Sequence, residues 1–392
     1  MINDLRILHL AMDEKFIDQA YRIFEEVAPG ANDIFLYSLG KPRYTKTPPK
    51  RTFSRFVEFL GLSTVDLSAY DLVVVHSLHP AWWKSILKVP RSVPVLWLGW
   101  GYDYYDLVGS GESGLLLPDT KAVAQQHSAG GASFLGRLKQ FLKRAVFGLT
   151  KEAVIKRVDY FAPVLPAEYE MVRQAKTWKR FPSQLVWNYG NLEDDLIKGF
   201  EGAIVCGSNI LVGNSASPTN NHLEAFSSLS QARLSAERKI IAPLSYGIAD
   251  YRAMVIEAGL KSFADRFQPL IDFMPIEEYV SIISSCSHVV MNHVRQQALG
   301  NIVIMLYLGA KVFVREESPV YIFFKSQGTC IFSIQQMEQE PSLLNAGLLP
   351  EEIQRNRDIV ISGWSRLVSQ QRTHDLLAHV FSDRVDKALI PQ

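Results

Sequence analysis

The stretch ILVGNSASPTNNH, residues 210–222, joins an apolar run to a polar segment that contains glycine and proline. The apolar run is typical of a buried strand, and Thr219, Asn220 or Asn221 can cap a following helix. A glycine-containing turn before a helix N-terminus presents backbone N–H groups, which bind anions. The stretch therefore predicts a strand, loop and helix that either bind a phosphate or simply connect two elements. It has neither the GxGxxG nor the Walker pattern, which disfavours NAD and ATP chemistry.

Short apolar runs alternate with helical patterns on both sides of this stretch, as is typical of parallel sheets covered by helices. The strands are expected at 5–12, 33–39, 71–78, 93–100, 158–164, 184–189, 209–215, 238–246, 267–274, 288–294, 311–316 and 328–334. Helices are expected at 219–236, 276–285 and 296–308, and after Pro350 up to about Ser369 and again from His374. The segments 41–51 and 108–114 are predicted as loops.

The alternation breaks at 190–208, which is rich in glycine and acidic residues. We therefore predict two α/β domains, at 1–195 and 208–365, with a linker at 196–207 between them. A helical tail at 366–392 is expected to pack back on the first domain. Because open parallel sheets bind ligands beyond the carboxyl ends of their strands, the cleft between the domains is the expected site.

The composition is that of a globular protein: 392 residues, of which 47% are hydrophobic and 21% charged. Lys and Arg total 41 against 40 Asp and Glu, so the net charge gives no reason to expect nucleic acid as a partner. The three cysteines form no CxxC pair, which disfavours a zinc site or a disulfide framework. The N-terminus does not resemble a signal peptide, and the apolar run 302–314 is too short to span a bilayer.

The stretch NHVRQQALGN, residues 292–301, places three long hydrogen-bonding side chains at the end of a predicted strand. Arginine can hold a diphosphate with two parallel hydrogen bonds, and glutamine amides can bond sugar hydroxyls or a base. The other interpretation is an ordinary helix start, in which Arg295 pairs with a surface carboxylate. The residues of this stretch that we expect in a ligand site are Arg295, Gln296, Gln297, Gly300 and Asn301.

Two other stretches, PLSYG at 243–247 and REES at 315–318, end further predicted strands of the same domain. Tyr246 can either stack on a base or pack inside the domain. Glu316 can accept hydrogen bonds from ribose hydroxyls, although a charged strand end is often merely solvated.

The first domain has its own candidates in LWLGWGYDYYD, residues 96–106. Aromatic rings beside carboxylates commonly hold sugars. Asp103 and Asp106 are spaced to share a helical face as a base and an orienting acid, unless they are solvated acids beside an aromatic core. His76 and His79, which follow another strand, are further candidates for a general base, although such histidines often have no catalytic role.

The segment 135–157 has an apolar stripe at helical spacing and many basic residues against the single acid Glu152. Such a basic amphipathic helix can contact anionic headgroups or a lipid-linked diphosphate. Alternatively, it is a surface helix whose stripe packs inward.

Taken in order, these stretches resemble the TDP-N-acetylfucosamine:lipid II N-acetylfucosaminyltransferase family, the 4-acetamido-4,6-dideoxygalactosyltransferases of enterobacterial common antigen synthesis. The resemblance covers roughly residues 70–330 and rests on VVVHSLHPAWW, WGYDYY, LKQFLKRAVFGL, ILVGNSASPTNNH, IIAPLSYG and RQQALGN. It implies a GT-B glycosyltransferase, an α/β fold of two Rossmann-like domains facing each other across a cleft. The implied donor is a nucleotide diphospho sugar bound by the second domain, without a metal or other cofactor. The implied acceptor is a polyprenyl-diphosphate-linked saccharide at the cytoplasmic membrane face.

With this resemblance, each candidate residue receives an expected role. The donor residues are Gly213, Asn214, Ser215, Asn220, Ser245, Tyr246, Gly247, Arg295, Gln296, Gln297, Gly300, Asn301 and Glu316. The acceptor residues are Trp100, Tyr102, Asp103 and Asp106. The catalytic residues are Asp103, the first candidate for the base, His76 or His79, the next candidates for it, and Arg295, which neutralises the leaving nucleotide.

The expected partners are the sugar nucleotide, the lipid-linked glycan and an anionic membrane surface held by 135–157, with no nucleic acid among them. The expected location is peripheral, on the cytoplasmic face of the bacterial inner membrane. The donor loop varies between Ala216 and Thr219, so the resemblance does not transfer the identity of the sugar. A sugar-nucleotide epimerase of the same fold and a non-catalytic membrane-bound scaffold are the alternative functions.

Overall fold

The computed structural model of the chain describes residues 5–38, 40–54, 66–109, 114–128, 150–232 and 234–388. These residues form two compact units, each built around one parallel sheet. As far as these stretches are described, the first unit comprises Met1–Val108, Ala132–Gly190 and Arg366–Gln392, and the second comprises Gly109–Gly131 and Asn191–Ser365.

The described part of the first unit has a parallel sheet of seven strands in the order β3-β2-β1-β4-β5-β6-β7. Its strands are β1 (Ile7–Met12), β2 (Asn32–Tyr37), β3 (Arg51–Phe53), β4 (Leu72–His76), β5 (Val95–Leu98), β6 (Tyr160–Ala162) and β7 (Ser183–Gln184). Its helices are α1 (Ile17–Val27), α2 (Trp83–Lys88), α4 (Lys151–Arg157), α5 (Glu168–Gln174) and α13 (Arg366–Ala388), whereas α3 (Pro118–Ser128) belongs to the second unit. The strand order reverses between β1 and β4, which is where sheets of this kind bind ligands.

The described part of the second unit has six parallel strands in the order β10-β9-β8-β11-β12-β13. They are β8 (Asn209–Val212), β9 (Ile240–Pro243), β10 (Phe267–Leu270), β11 (Cys286–Met291), β12 (Lys311–Val314) and β13 (Phe332–Ser333). The helices are α6 (His222–Gln231), α7 (Ala249–Phe263), α8 (Ile276–Ile283), α9 (Leu299–Tyr307), α10 (Pro319–Ser326), α11 (Ile334–Gln339) and α12 (Pro350–Trp364). The order reverses here between β8 and β11, so the loops after these two strands flank the switch point.

The central strands have the sequence character that burial on both faces requires. Every residue of β4 is buried, as are the first five of β1, and most of them are aliphatic. The C-terminal helix α13 completes this core, because Leu376, Leu377 and Val380 pack into the cluster that contains Phe24. Burial of each aliphatic side chain stabilises the unit by about 1.5–3 kcal/mol.

Three elements differ from the sequence expectations. The strands are shorter than predicted, since β9 ends at Pro243 rather than at 246. Residues Arg51, Thr52 and the buried Phe53 form a further edge strand, β3, which pairs with β2. The sequence predicts a loop at 41–51, so the difference lies at Arg51. The tail divides at Ser365, whose extended backbone separates α12 from α13, rather than near Ser369.

The segment 109–131 groups with the second unit, although the sequence places everything up to 195 in the first domain. The reason lies in a set of hydrogen bonds to the start of α6. The Leu117 N–H donates to Oδ1 of Asn221 at 2.9 Å, and Nδ2 of Asn221 donates to the Leu115 carbonyl at 3.1 Å. Thr120 adds a bond of 2.6 Å from its hydroxyl to the Glu224 carboxylate.

The segment predicted as a linker, 196–207, is bonded to the second unit. The backbone N–H of Val205 donates to the Leu308 carbonyl and that of Cys206 donates to the Ser284 carbonyl, both at 2.9 Å. These bonds hold the segment against the ends of α9 and α8.

Most of the basic segment 135–157 lies outside the described residues, and only its last part, α4 with its cap Thr150, is described. Two of its cations have partners within the first unit. Arg157 is 3% exposed and donates to the carbonyls of Val89, Pro90 and Val93, while Lys151 bonds Asp106 at 2.5 Å. Arg157 therefore stabilises the fold rather than facing an anionic surface.

Among the helices of the described ranges, none has the length and apolar character needed to cross a membrane.

Candidate active site

The loop after β8 turns at Gly213, whose φ is +67°. A Cβ atom at this position would lie 2.6 Å from Nε2 of His222 and 3.0 Å from Oδ1 of Asn220. Both neighbours are buried, so neither can move aside easily. The left-handed backbone and the close polar neighbours together explain why glycine occupies this position.

Asn220 holds the same loop from within. Its Oδ1 accepts from the Asn214 backbone N–H at 2.9 Å and from Nε2 of His293 at 2.8 Å. Its Nδ2 donates to the carbonyls of Ser215 and Ser217, at 2.9 and 3.1 Å. Because Asn220 is 1% exposed and bonded at both ends of its amide, it shapes the loop rather than offering free groups to a ligand.

Asn214 joins the loops after three strands. Its Nδ2 donates to the Tyr246 hydroxyl in the loop after β9, at 3.0 Å. Its Oδ1 accepts from Nε2 of Gln297 in the loop after β11, also at 3.0 Å. Thr219 donates its hydroxyl to Oε1 of Gln297 at 2.6 Å. The structure thus brings Asn214, Tyr246 and Gln297, all predicted from sequence, into one network at the carboxyl edge of the second sheet.

The loops after β8 and β9 are also joined through their backbones. The Ala216 N–H donates to the Tyr246 carbonyl and the Ile248 N–H to the Ala216 carbonyl, both at 2.8 Å. Gly247 has a φ of +123°, and a Cβ there would lie 2.3 Å from the Ala216 oxygen, so no side chain fits. The Tyr246 ring remains 42% exposed, which favours stacking on a ligand over packing inside the unit.

Two other predicted donor residues lie beside this network. Ser215 is buried and its hydroxyl accepts from Nδ2 of Asn220 at 3.1 Å. Ser245 is half-buried at the end of β9. Neither position offers a charge, and the predicted donor roles of both residues stay predictions.

Arg295 follows β11 and is half-buried. One guanidinium nitrogen donates to the Gln296 carbonyl at 3.0 Å, and the Arg295 carbonyl accepts from the Ser318 hydroxyl at 3.4 Å. Ala298, with a φ of +58°, then turns the chain into α9. The positive end of the α9 dipole and the Arg295 charge therefore meet at the same edge of the sheet, where both favour an anion.

Gly300 and Asn301 stand in the first turn of α9. A Cβ at Gly300 would meet only Leu196, at 3.7 Å, which is an ordinary contact distance. Close packing therefore does not require glycine there, and its predicted role as a donor residue stays a prediction, as does that of Asn301.

Glu316 is exposed at the end of β12. It accepts a hydrogen bond of 2.7 Å from the Ser333 hydroxyl, and its backbone N–H donates to Oε1 of Gln335. The neighbouring Arg315 bonds Glu317 at 2.6 Å and Asn292 at 3.3 Å. These contacts fix the strand end, and the predicted ribose contact of Glu316 stays a prediction.

Sequence reasoning missed two buried histidines beneath the donor loop. Nδ1 of His222 lies 3.2 Å from the Tyr251 hydroxyl. Two other ring nitrogens, Nε2 of His222 and Nδ1 of His293, are buried without a hydrogen-bond partner among the described residues. Burial lowers the pKa of His222 to about 3 and that of His293 well below its usual value. Both are neutral at physiological pH and add no charge to the site. The only sequence signal was their position, at the start of a helix and just after a strand.

In the first unit, Asp103 is 3% exposed and fully engaged. Its Oδ2 accepts from the Leu78 N–H and from Nε1 of Trp97, both at 2.7 Å, and its Oδ1 accepts from the Trp100 N–H at 2.8 Å. These bonds clamp the ends of β4 and β5 together. They favour a structural role for Asp103 over the base and acceptor roles predicted from its sequence position.

The two candidate histidines also have internal partners. His76 is 1% exposed, with its Nε2 2.9 Å from Nδ1 of His9 and its Nδ1 2.8 Å from the Tyr189 hydroxyl. His79 caps a short helical turn, because its Nδ1 accepts from the Ala81 N–H at 3.2 Å. Burial lowers the pKa of both rings, which disfavours them as general bases near neutral pH.

The remaining acceptor candidates lie at the carboxyl edge of the first sheet. Tyr102 is 49% exposed and its hydroxyl lies 2.9 Å from that of Ser77; its ring contacts the half-buried Trp100, with ring centres 6.2 Å apart. Asp106 is exposed and paired with Lys151, so it does not share a face with the buried Asp103. Trp100 and Tyr102 are both at least partly exposed, and their predicted role in stacking on a sugar stays a prediction.

Residues 168–343 match the sequence model of the family described as 4-alpha-L-fucosyltransferase, glycosyl transferase group 56. The matched region contains the whole second sheet and its loops. The chain is a glycosyltransferase. The match confirms the resemblance to the N-acetylfucosaminyltransferase family that the motifs indicated.

Solved structures confirm the predicted GT-B architecture of this glycosyltransferase. Sucrose-phosphate synthase from Thermosynechococcus elongatus matches with a TM-score of 0.62 at 10% identity, over 96% of this chain and 100% of that one. The HepE protein of Anabaena, in complex with UDP and glucose, matches with a TM-score of 0.61 at 13% identity, over 96% and 100%. A trehalose-phosphate synthase (UDP-forming) from Burkholderia vietnamiensis matches with a TM-score of 0.59 at 10% identity, over 96% of this chain and 100% of that one. At such identities the likeness concerns the fold.

The glycosyltransferase has no group of three or more His, Cys, Asp or Glu side chains with the arrangement of a metal site within its described ranges. The loops after β8, β9 and β11 at the carboxyl edge of its second sheet carry amides, hydroxyls and the Arg295 guanidinium. Such groups suit the oxygen atoms of a sugar nucleotide.

Proposed function

We propose that the enzyme transfers a deoxyamino sugar from a dTDP-linked sugar to a polyprenyl-diphosphate-linked saccharide in the synthesis of a bacterial surface polysaccharide, enterobacterial common antigen. The observation that carries this proposal is the network of Asn214, Tyr246 and Gln297, which joins the loops after β8, β9 and β11 within the family-matched region. The last of these loops also carries Arg295. Support for a sugar nucleotide also comes from HepE, a structural neighbour solved with UDP-glucose.

In this proposal the donor diphosphate lies over Gly213–Ser215, where the backbone turns at a residue without a side chain and the side chains of Asn214 and Ser215 are buried. Arg295 and the N-terminus of α9 offset its charge, and Gln296 bonds the donor from beside Arg295. During transfer the acceptor hydroxyl oxygen attacks the anomeric carbon and its proton is released to solvent, while the bond from that carbon to the phosphate oxygen breaks with its electron pair. Negative charge grows on the leaving nucleotide, and Arg295 stabilises it in the transition state.

Tyr246 supports base recognition in the proposal. Tyr246 is partly exposed and its hydroxyl is held by Asn214, so the ring has a preferred orientation for stacking on thymine. Trp100 and Tyr102 in the first unit provide aromatic faces for the acceptor saccharide.

The proposed location is the cytoplasmic face of the inner membrane, with the basic residues of 135–157 other than Lys151 and Arg157 in contact with anionic headgroups. Its support is the charge excess of the sequence, since most of the segment lies outside the described residues. A flotation assay with vesicles containing anionic or only neutral phospholipid tests it. Binding only to anionic vesicles, lost in the triple variant Lys139→Glu, Lys143→Glu, Arg144→Glu, is expected; equal flotation with both vesicle types would contradict it.

A transfer assay tests the function itself. The enzyme is incubated with a labelled dTDP-linked deoxyamino sugar, with and without the polyprenyl-diphosphate-linked saccharide. We expect label in the lipid fraction only when the acceptor is present. Consumption of the sugar nucleotide without an acceptor would indicate an epimerase, and no consumption in either case would indicate a scaffold.

A further inference from the structure

A chain of buried hydrogen bonds runs through the first unit from the surface of α1 to Tyr189. Nδ2 of Asn32 donates to the Glu25 carboxylate at 2.7 Å and to the Ala28 carbonyl at 2.9 Å. Since both partners can only accept, the orientation of the Asn32 amide is fixed. Its Oδ1 therefore faces Nε2 of His9, 3.1 Å away, and must accept from that nitrogen.

This orientation fixes the tautomers of both histidines along the chain. Burial lowers the pKa of His9 to about 4 and that of His76 well below its usual value, so both rings are neutral near pH 7. Neutral His9 carries its proton on Nε2 and presents a bare Nδ1 to Nε2 of His76, 2.9 Å away. His76 must donate there, so its own Nδ1 is bare and accepts the proton of the Tyr189 hydroxyl at 2.8 Å.

The consequence is that the Tyr189 phenol can act only as an acceptor toward any further partner. Its proton is committed to His76, and burial raises its pKa, which keeps the hydroxyl protonated. The indole N–H of Trp100 lies beside the same oxygen and lowers the Tyr189 pKa as a donor, although its geometry falls short of a full hydrogen bond. A phenol oxygen has two lone pairs, so one is left for a ligand even when the indole faces the other.

Tyr189 lies in a cluster of aromatic rings at the carboxyl edge of the first sheet. The Trp100 and Tyr189 ring centres are 5.6 Å apart, those of Phe16 and Trp100 5.9 Å, and those of Phe16 and Tyr189 6.0 Å. Phe16 is 37% exposed, and Tyr189 keeps part of its surface open. We call Phe16, Trp100, Tyr102 and Tyr189 the aromatic cluster.

We propose that the aromatic cluster is a saccharide subsite in which Tyr189 accepts a hydrogen bond from a sugar hydroxyl, and that His9 and His76 are positioning residues for it. Ring faces suit the C–H surface of a pyranose, and an oxygen that only accepts selects a hydroxyl that donates. The proposal deepens the proposed function, because it rests on the acceptor saccharide binding the first unit. It adds Tyr189, Phe16 and His9 to the residues found from sequence, and it gives His76 a positioning role in place of the predicted base role.

The first test compares Tyr189→Phe with Tyr169→Phe. Phenylalanine keeps the ring and removes only the oxygen; Tyr169 is the matched control because its hydroxyl donates to the Pro182 carbonyl, away from the cluster. We expect the KM for the lipid-linked acceptor to rise roughly 3- to 12-fold in Tyr189→Phe, the value of one hydrogen bond, while the KM for the sugar nucleotide is unchanged. An unchanged acceptor KM in folded Tyr189→Phe would overturn the proposal.

The second test measures the protonation of the two positioning histidines, His9 and His76, and does not depend on enzyme activity. In protein labelled with ¹⁵N-histidine, long-range proton–nitrogen spectra report which ring nitrogen carries the proton. We expect His9 and His76 to be neutral Nε2–H tautomers between pH 6 and pH 8. A charged ring, or an Nδ1–H tautomer at either position, would overturn the proposed direction of the hydrogen bonds from Asn32 to Tyr189.

A binding assay separates this proposal from the proposed function. If the wild-type enzyme transfers no sugar, the proposed function fails, and saturation-transfer NMR with methyl β-N-acetylglucosaminide as the probe still tests the subsite. Binding by wild type and Tyr169→Phe that weakens in Tyr189→Phe supports the saccharide subsite. Absence of binding to wild type, or equal binding by all three proteins, overturns it.

Discussion

Gln297 donates a side-chain N–H to Oδ1 of Asn214 across 3.0 Å, although 83 positions separate them in the sequence. Both are more than nine-tenths buried, and they connect the loops on either side of the switch point of the second sheet. The hydrogen bond therefore fixes the distance between the loop proposed to hold the diphosphate and the loop that carries Arg295.

The variant Gln297→Glu tests this connection. Glutamate has the same shape but cannot donate to Asn214, so we expect nucleotide affinity to fall roughly tenfold, as for loss of one buried hydrogen bond. Calorimetric titration with dTDP measures the effect. Gln327→Glu, at an exposed position at the end of α10, is the control; equal affinities in the two variants would show that the bond does not organise the site.

Gly213→Ala should destabilise the second unit. An added Cβ meets His222 and Asn220 at 2.6 and 3.0 Å, and the positive φ is itself costly, so we expect a loss of about 2–4 kcal/mol in the free energy of unfolding. Gly199→Ala is the matched control, since Gly199 has a φ of +81° but nothing within 4 Å. Urea unfolding of both variants separates the clash from the backbone strain. Equal losses of unfolding free energy in the two variants would show that the loop shifts to accommodate the added Cβ at position 213.

Asp103→Asn distinguishes a structural from a catalytic carboxylate. An asparagine amide cannot replace all three bonds that Asp103 accepts, so at least one buried N–H loses its partner. We expect the free energy of unfolding to fall by about 2 kcal/mol. Normal thermal stability combined with abolished transfer would instead restore Asp103 as the base.

Buried neutral histidines make stability depend on pH in a defined window. Burial lowers the pKa of His9 and His288 to about 4 and that of His222 to about 3, from the value of 6.5 in the unfolded chain. Because the unfolded chain binds the protons more readily, stability is complete above pH 6.5 and is lost as the pH falls toward 4. Between pH 7.5 and 5.5 each should contribute a loss of roughly 1 kcal/mol.

Urea unfolding at pH 7.5, 6.5 and 5.5 measures this dependence. His288→Gln should remove one contribution to the slope, because glutamine does not titrate. Stability that stays constant or rises over this range would contradict the assignment of neutral buried rings.

The sequence predicted the parallel α/β fold well, because strands such as β4 and β8 are short aliphatic runs followed by turn residues. It also located Asn214, Tyr246 and Gln297 correctly at strand ends. It did not predict that Asp103 is buried, since a short loop rich in aromatic residues looks the same whether its carboxylate faces water or three N–H donors. Tyr189 escaped notice because its partners His9 and His76 are distant in sequence, and only the sheet brings them together.

The most direct test of the central claim is a calorimetric titration of dTDP and UDP into the wild-type enzyme, Arg295→Ala and Arg266→Ala. Arg266 is the control, because its guanidinium bonds the Ser235 carbonyl, away from the donor loops. We predict saturable binding of dTDP, tighter than that of UDP, to the wild type and Arg266→Ala, with affinity at least roughly tenfold weaker in Arg295→Ala. A flat titration of folded wild-type enzyme with both nucleotides, or unchanged affinity in Arg295→Ala, would contradict the account.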